Sequence, residues 1–313
     1  MELTPQLRTL RDFYYTVALK MPVDKDFVHA PRLMDKPQFF TLEHLKRHLN
    51  NPLLAPAYFG LYWQGKKVDV TPAISHKVVQ GTELQFLNKG IIEEYFSRGA
   101  SVILEGLDLL EPTINAMCAA VDKPHDCVSS NSVVFFSQRR NELYRGHLDT
   151  DDVLVIHLAG SKQWRIYRRQ APRKANIAEL PPDRMGELHA EIVLHPGDAL
   201  FMRAGTPHIV ETIADYSMHM SFDICDRQVN ADTALRLLLQ EYQKDSAACY
   251  SPTPVVMDKM MVHARGEAYV CQLAELQATQ RENYRRARAA RQQSRFLSGQ
   301  VDHRRAAKRE VTI

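Results

Sequence analysis

The chain has 313 residues, 45% of them hydrophobic and 25% charged, with a formal net charge of +3. That is a globular composition, long enough to bury a sizeable core without disulfides or a structural metal. No run of about 18 apolar residues occurs, and the charged N-terminus lacks the apolar stretch of a secretory signal, so neither a membrane partner nor export is expected.

In chain order, residues 4–20 read as an amphipathic helix, with Leu7, Leu10, Phe13, Tyr14 and Val17 at helical spacing. A second helix is predicted over Thr41–Leu49, with Thr41 as its N-cap. Residues 58–70 read as a hairpin turning at Gln64-Gly65-Lys66, and Glu83–Phe96 as a helix. A strand follows at Ala100–Glu105, then a helix at Glu111–Val121 with Pro112 in its first turn. From about Ser129 the texture changes to short β-rich runs: SVVFFS, VLVIHLA, WRIY, EIVL, ALFMR, HIVETI and SMHMSFDI. Between them lie the turn signals Ala-Gly-Ser, His-Pro-Gly-Asp and Ala-Gly-Thr-Pro. Such spacing predicts an antiparallel sandwich or barrel, placed here at about residues 80–228. After Asp226 the pattern returns to helix, over Ala231–Lys244 and Glu267–Phe296. The expected organisation is a mainly β catalytic domain over 1–228 with N-terminal helical wrapping, and a helical module over 229–313.

Five cysteines without a Cys-x-x-Cys pair argue against both a zinc site and a disulfide framework, and for reduced thiols in a cytoplasmic protein. The charge is uneven. Arg281 to Glu310 carries ten basic and three acidic residues, which leaves the remainder mildly acidic.

Chemistry concentrates in Gly146-His147-Leu148-Asp149. Residues i and i+2 of a strand share a face, so His147 and Asp149 can converge on one ion. His208, in Gly205-Thr206-Pro207-His208, supplies a third ligand at the start of a later strand. Two imidazoles and a carboxylate form a facial triad suited to non-haem Fe(II), oxygen and a bidentate co-substrate. A His-x-Asp/Glu triplet alone is weak evidence, because His189-Ala190-Glu191 is a second one and a surface pair is the commoner meaning. Position separates them: Asp149 leads into the apolar run Val153–Ala159, whereas His189 follows a Pro- and charge-rich stretch. Lys162 shares a strand face with Trp164 and Ile166, and a lysine on an apolar face requires an anion. Fe(II), one carboxylate ligand and a dicarboxylate such as 2-oxoglutarate sum to one negative charge, which a buried Lys162 neutralises. A solvent-exposed turn lysine is the competing meaning. Ser217, His219 and Ser221 form one polar strand face, lining either the same cavity or solvent. Tyr144 is a candidate cap for the co-substrate carboxylate, or a packing residue.

From Gly99 to Asp226 the text resembles the JmjC-type, cupin-fold Fe(II)/2-oxoglutarate oxygenases, and within them the ribosomal oxygenase branch. The matching segments are GASVILEGLDLLEP, GHLDTDDVLVIHLAGSKQWRIY, LHPGDALFMRAGTPHIVET and SMHMSFDI. The resemblance implies a double-stranded β-helix (jelly-roll) core, with His147, Asp149 and His208 as iron ligands. It implies Lys162 as partner of the distal 2-oxoglutarate carboxylate, with Tyr144 and Ser221 as lesser contacts. The implied reaction is hydroxylation with O2, giving succinate and CO2. The family's helical C-terminal region would make the module after residue 228 a homodimer interface. Two departures bear on substrate: the chain is short for the winged-helix domain of larger members, and SQRRNELYRG stands where Gly-rich text is common.

Three functions compete. The first is side-chain hydroxylation of a peptide or protein, which the acidic body would attract if basic. The second is hydroxylation of a free amino acid or small natural-product intermediate, with the loop 171–187 as a lid. The third is a non-catalytic cupin-fold binding protein acting through its tail. That tail offers only Tyr284 and Phe296 for base stacking, which argues against nucleic acid as a partner.

Overall fold

A computed structural model describes residues 3–22, 24–51, 54, 56–63, 66–125, 128–138, 146–169 and 180–226, with short helical stretches between 234 and 286. The chain divides into two compact units, Met1–Pro124 with Ser130–Cys225, and His125–Ser129 with Asp226–Ile313.

The first unit opens on α1 (Pro5–Phe13), whose N-cap Thr4 accepts a hydrogen bond from the Leu7 amide. The helix then widens into a π-helical segment, Tyr14–Ala18. One extra residue per turn rotates the buried face, so Ala18 is buried while Val17, expected on the apolar stripe, is exposed. Helix α2 (Leu42–Leu49) starts from a capping box in which Thr41 and His44 satisfy each other's backbone groups. Helices α3 (Lys89–Ser97), α4 (Leu107–Leu110) and α5 (Pro112–Asp122) complete the set in this unit.

Strands β1 (Phe27–Ala30), β2 (Phe59–Trp63), β3 (Lys66–Lys67), β6 (Ser101–Leu104), β7 (Val128–Gln138), β8 (Asp152–Tyr167), β10 (Ala199–Met202) and β11 (His208–Asp226) follow the order β1-β10-β8-β11-β7-β6-β2-β3, and β9 (Leu188–Leu194) pairs with β8. Every recorded pairing is antiparallel. This is a mainly β core with helices N-terminal to it. Strands β4 (Ile74–Val79) and β5 (Thr82–Leu87) form a separate two-stranded sheet.

Three expectations are corrected. The helix predicted from Glu83 begins only at Lys89, because Thr82–Leu87 pairs with β4 across the Gln80-Gly81 turn. The β core reaches well upstream of residue 80, since Phe27–Ala30 and Phe59–Trp63 pair with β10 and β6. Ala159-Gly160-Ser161 is no chain reversal: VLVIHLA and WRIY are one continuous strand, β8, as HIVETI and SMHMSFDI are one strand, β11.

What Gly160 marks is an irregular crossing of these two strands. Ala159 pairs with Met218 but His157 with His219, so Leu158 is an extra residue on β8. An extra residue flips side-chain parity. Val153 and Val155 therefore pack in one core cluster with Trp164 and Ile166, across the parity break. On β11 the pairing skips from Thr212 to Ser217. There Gly160 (φ +68°) lies so close that an added Cβ would sit 1.9 Å from the Tyr216 carbonyl oxygen.

In the second unit, residues 269–279 are helical and the Tyr269 hydroxyl donates to the Ala234 carbonyl at 3.0 Å. Much of the two helices predicted at 231–244 and 267–296, and the basic tail after 286, lies outside the described residues. Among the described residues no helix is long and apolar enough to cross a membrane.

Gly160→Ala is expected to destabilise the protein by about 2 kcal/mol or more, from left-handed strain plus the carbonyl clash. Gly99→Ala, at φ +88° with nothing within 4 Å of the added methyl, should show the strain alone, about 1 kcal/mol. Urea unfolding midpoints of the two variants check the difference.

Candidate active site

The site is built on a backbone pairing. His147 and His208 form an isolated antiparallel bridge, the His147 amide donating to the His208 carbonyl at 3.1 Å and the His208 amide to the His147 carbonyl at 3.0 Å. One step further, the Gly205 amide donates to the Asp149 carbonyl at 2.8 Å. Three hydrogen bonds thus lace the segment leading into β8 to the turn leading into β11, and the imidazole centroids come within 4.1 Å.

The side chains converge. His147 Nε2 is 3.8 Å from Asp149 Oδ1, and His208 Nε2 is 3.6 Å from Asp149 Oδ2. One ligand atom from each of the three residues lies within 4.8 Å of the other two. His208 Nδ1 is 3.0 Å from the Thr206 carbonyl; donating there places its proton on Nδ1 and leaves the Nε2 lone pair for a metal. The His208 ring is also stacked on Trp164 at 5.6 Å. Separations slightly wider than those in a filled coordination sphere, two neutral imidazoles, one carboxylate and an open side fit an octahedral first-row metal such as Fe(II).

The triad borders a cavity of about 460 Å³. Lys162 forms part of its wall and is only 2% exposed. Its Nζ donates to Ser137 Oγ at 3.2 Å and lies 3.4 Å from His219 Nδ1. No carboxylate among the described residues pairs with it, and burial pulls its pKa down to about 7. An ammonium held away from water with two neutral partners is a receptor for an anion.

His219, Ser221 and Asp223, alternate residues of β11, line the same cavity. Ser217 does not join them: it hydrogen bonds Thr212 at 2.8 Å, beyond the register shift between Met218 and His219. Tyr144 lies outside the described residues. The second triplet is elsewhere, with His189 packed beside Phe27 and Asp26, and Glu191 accepting a hydrogen bond from Gln163.

Sequence reading missed the acidic side of the cavity. Glu105, Asp151 and Asp223 line it, and among the described residues none has a basic partner. Among the described residues Asp223 receives only a long hydrogen bond from Asn131, at 3.5 Å. Burial first, then the charges of Asp149, Asp151 and Glu105, push its carboxyl up to about 7. The available signal was parity, since Asp223 stands four residues beyond His219 on one strand. Ser137 was also missed, though it is a polar residue two places after Phe135 on a strand whose alternate residues Asn131, Val133 and Phe135 line the cavity.

Residues 109–231 match the JmjC domain family. That segment of the chain is similar to the JmjC domain of ribosomal-oxygenase-like proteins. The bifunctional lysine-specific demethylase and histidyl-hydroxylase NO66 of Drosophila willistoni is 23% identical over 149 residues, 46% of this chain and 19% of that protein. Ribosomal oxygenase 2 of Rattus norvegicus is 34% identical over 77 residues, 24% of this chain and 17% of that protein. The matched segments thus span about a fifth of the length of these relatives. The ribosomal oxygenase YcfD of Escherichia coli, solved with cobalt and 2-oxoglutarate, shares the fold at a TM-score of 0.50 and 17% identity, covering 81% of this chain and 67% of that one. The matched segment contains both residues of the His147–His208 bridge, and Lys162 between them.

If these three side chains hold the metal, His208→Ala and Asp149→Ala will each weaken Co(II) binding by about 100-fold or more. Visible absorbance titration of the cobalt-loaded protein checks this, with circular dichroism to confirm the fold. Unchanged affinity would remove the residue from the ligand set.

Proposed function

We propose that the protein is an Fe(II)- and 2-oxoglutarate-dependent dioxygenase that hydroxylates an amino-acid side chain within a peptide or protein. In this reading His147, Asp149 and His208 hold the iron and Lys162 pairs with the distal carboxylate of 2-oxoglutarate. The observation that carries it is the juxtaposition of a three-ligand cluster with a buried, anion-free lysine in one cavity. The names of the fly and rat relatives, and the cobalt and 2-oxoglutarate bound by the E. coli protein, support the same chemistry.

Iron bound here would supply the oxygen chemistry that couples decarboxylation of 2-oxoglutarate, to succinate and CO2, with conversion of a substrate C–H to C–OH. The protein's own residues contribute orientation and charge. The Thr206 carbonyl fixes the His208 tautomer, and Trp164 holds the ring in place. Lys162 offsets the negative charge left after metal and co-substrate combine, in a pocket where water would otherwise compete. Val153, Trp164 and Met202 line the wall with apolar surface. At the acidic side, Glu105, Asp151 and Asp223 favour a basic peptide over an acidic one.

Succinate release with Fe(II) and 2-oxoglutarate, screened against basic peptides and free amino acids, tests the reading. Peptide-dependent release with a mass gain of one oxygen is expected. Release driven only by a free amino acid would favour the small-molecule alternative, and none with any substrate would leave a binding protein.

The lysine gives a pH prediction. Its folded pKa is lowered to about 7, so the ammonium form is complete below that pH and is lost as pH rises through it. Affinity for 2-oxoglutarate should therefore fall by up to about tenfold per unit above pH 7. Calorimetry on the cobalt-loaded protein reads this. 2-Oxobutyrate, which lacks the distal carboxylate, should show no such slope.

A further inference from the structure

Among the cavity-lining groups, His219 has no part in the reading above, yet it is closely held. Its side chain is 4% exposed. Its ring lies parallel to Phe135 at 4.7 Å and 6°, parallel to His157 at 6.5 Å and 9°, and edge-on to Trp164 at 5.6 Å. An imidazole held by three rings does not rotate freely, so each ring nitrogen has a fixed neighbourhood.

Nδ1 is 3.4 Å from Lys162 Nζ. In its ammonium form Lys162 has protons to donate and no lone pair, so below about pH 7 Nδ1 accepts. That requirement places the imidazole proton on Nε2. Burial, and after it the charge of Lys162, hold the ring neutral rather than doubly protonated. Among the described residues no group hydrogen bonds Nε2, although His219 lines the cavity. The consequence is a donor of fixed position and tautomer, nine-tenths buried, beside an ammonium that also lacks an anion.

We propose that His219 is a binding residue for the distal carboxylate of the co-substrate, donating from Nε2 to one oxygen while Lys162 pairs with the other. Lys162 has a second task in this arrangement: by donating to Nδ1 it selects the tautomer that makes His219 a donor. Ser137 Oγ, 3.2 Å from Lys162 Nζ, holds the ammonium in the position that does this. The inference rests on the co-substrate reading given under Proposed function and extends it to a residue that has no role there.

The test uses the cobalt-loaded protein and two ligands, 2-oxoglutarate and 2-oxobutyrate. His219→Phe preserves ring stacking and removes both nitrogens. His219→Asn keeps a polar group near Nδ1 and removes the donor at Nε2. His219→Gln places an amide N–H near the Nε2 position. Affinity for 2-oxoglutarate should fall about 10- to 100-fold in the Phe and Asn variants and be largely restored by Gln. Affinity for 2-oxobutyrate, and for Co(II) alone, should stay within about twofold in all three. A purely structural role would instead weaken both ligands together, which would overturn the proposal. So would unchanged 2-oxoglutarate binding in His219→Phe. Failure of the wild-type protein to bind 2-oxoglutarate at all would sink the co-substrate reading itself, a distinguishable result. Nitrogen chemical shifts of His219 give an independent check: an unprotonated Nδ1 is expected in the wild type, and a protonated Nδ1 would refute the tautomer.

Discussion

Two backbone hydrogen bonds between His147 and His208 hold the candidate site together. Residues far apart in the chain become direct antiparallel neighbours, so the two imidazoles meet through the sheet rather than through flexible loops. The Asp149–Gly205 hydrogen bond extends the same lacing to the carboxylate. Side chains paired in this way would need little reorganisation to close on an ion.

Around this centre the cavity is electrically divided. Among the described residues Lys162 stands beside Ser137 and His219 without a counter-ion, and Glu105, Asp151 and Asp223 have no basic partner. Charge is poorly solvated at Lys162 and at Asp223, whereas Glu105 is exposed and Asp151 half-buried. The proposed occupants complement this division, an anion beside the lysine and a cation beside the acids. The opposing shifts of Lys162 and Asp223, both brought to about 7, have the same origin in burial.

Some of this could be read before folding. The alternation around His147 and Asp149, the apolar run after them and the Pro-Gly-Asp turn at residues 196–198 are local patterns, and local patterns survive in a one-dimensional text. Gly197 belongs with them, since at φ +96° an added Cβ would lie 2.0 Å from the Met34 carbonyl oxygen. The Ala-Gly-Ser signal misled because glycine serves both reversals and irregular crossings, and only the partner strand distinguishes them. Thr82–Leu87 misled for a related reason: its pairing with β4 outweighs a helical pattern shared with the real helix from Lys89.

By itself the sequence determined the residue types, the i, i+2 geometry of His147 and Asp149, and the demand that a lysine among apolar neighbours be paired. Which side Lys162 faces was decided by tertiary structure. One extra residue at Leu158, visible only against β11, reverses parity and sets Lys162 and Trp164 on the same side as Val153. The acidic wall was decided likewise, because Glu105, Asp151 and Asp223 come from separate segments and acquire a common environment only when the sheet brings them to one cavity. Local chemistry is written residue by residue, but register is a relation between two strands, and no single strand contains it.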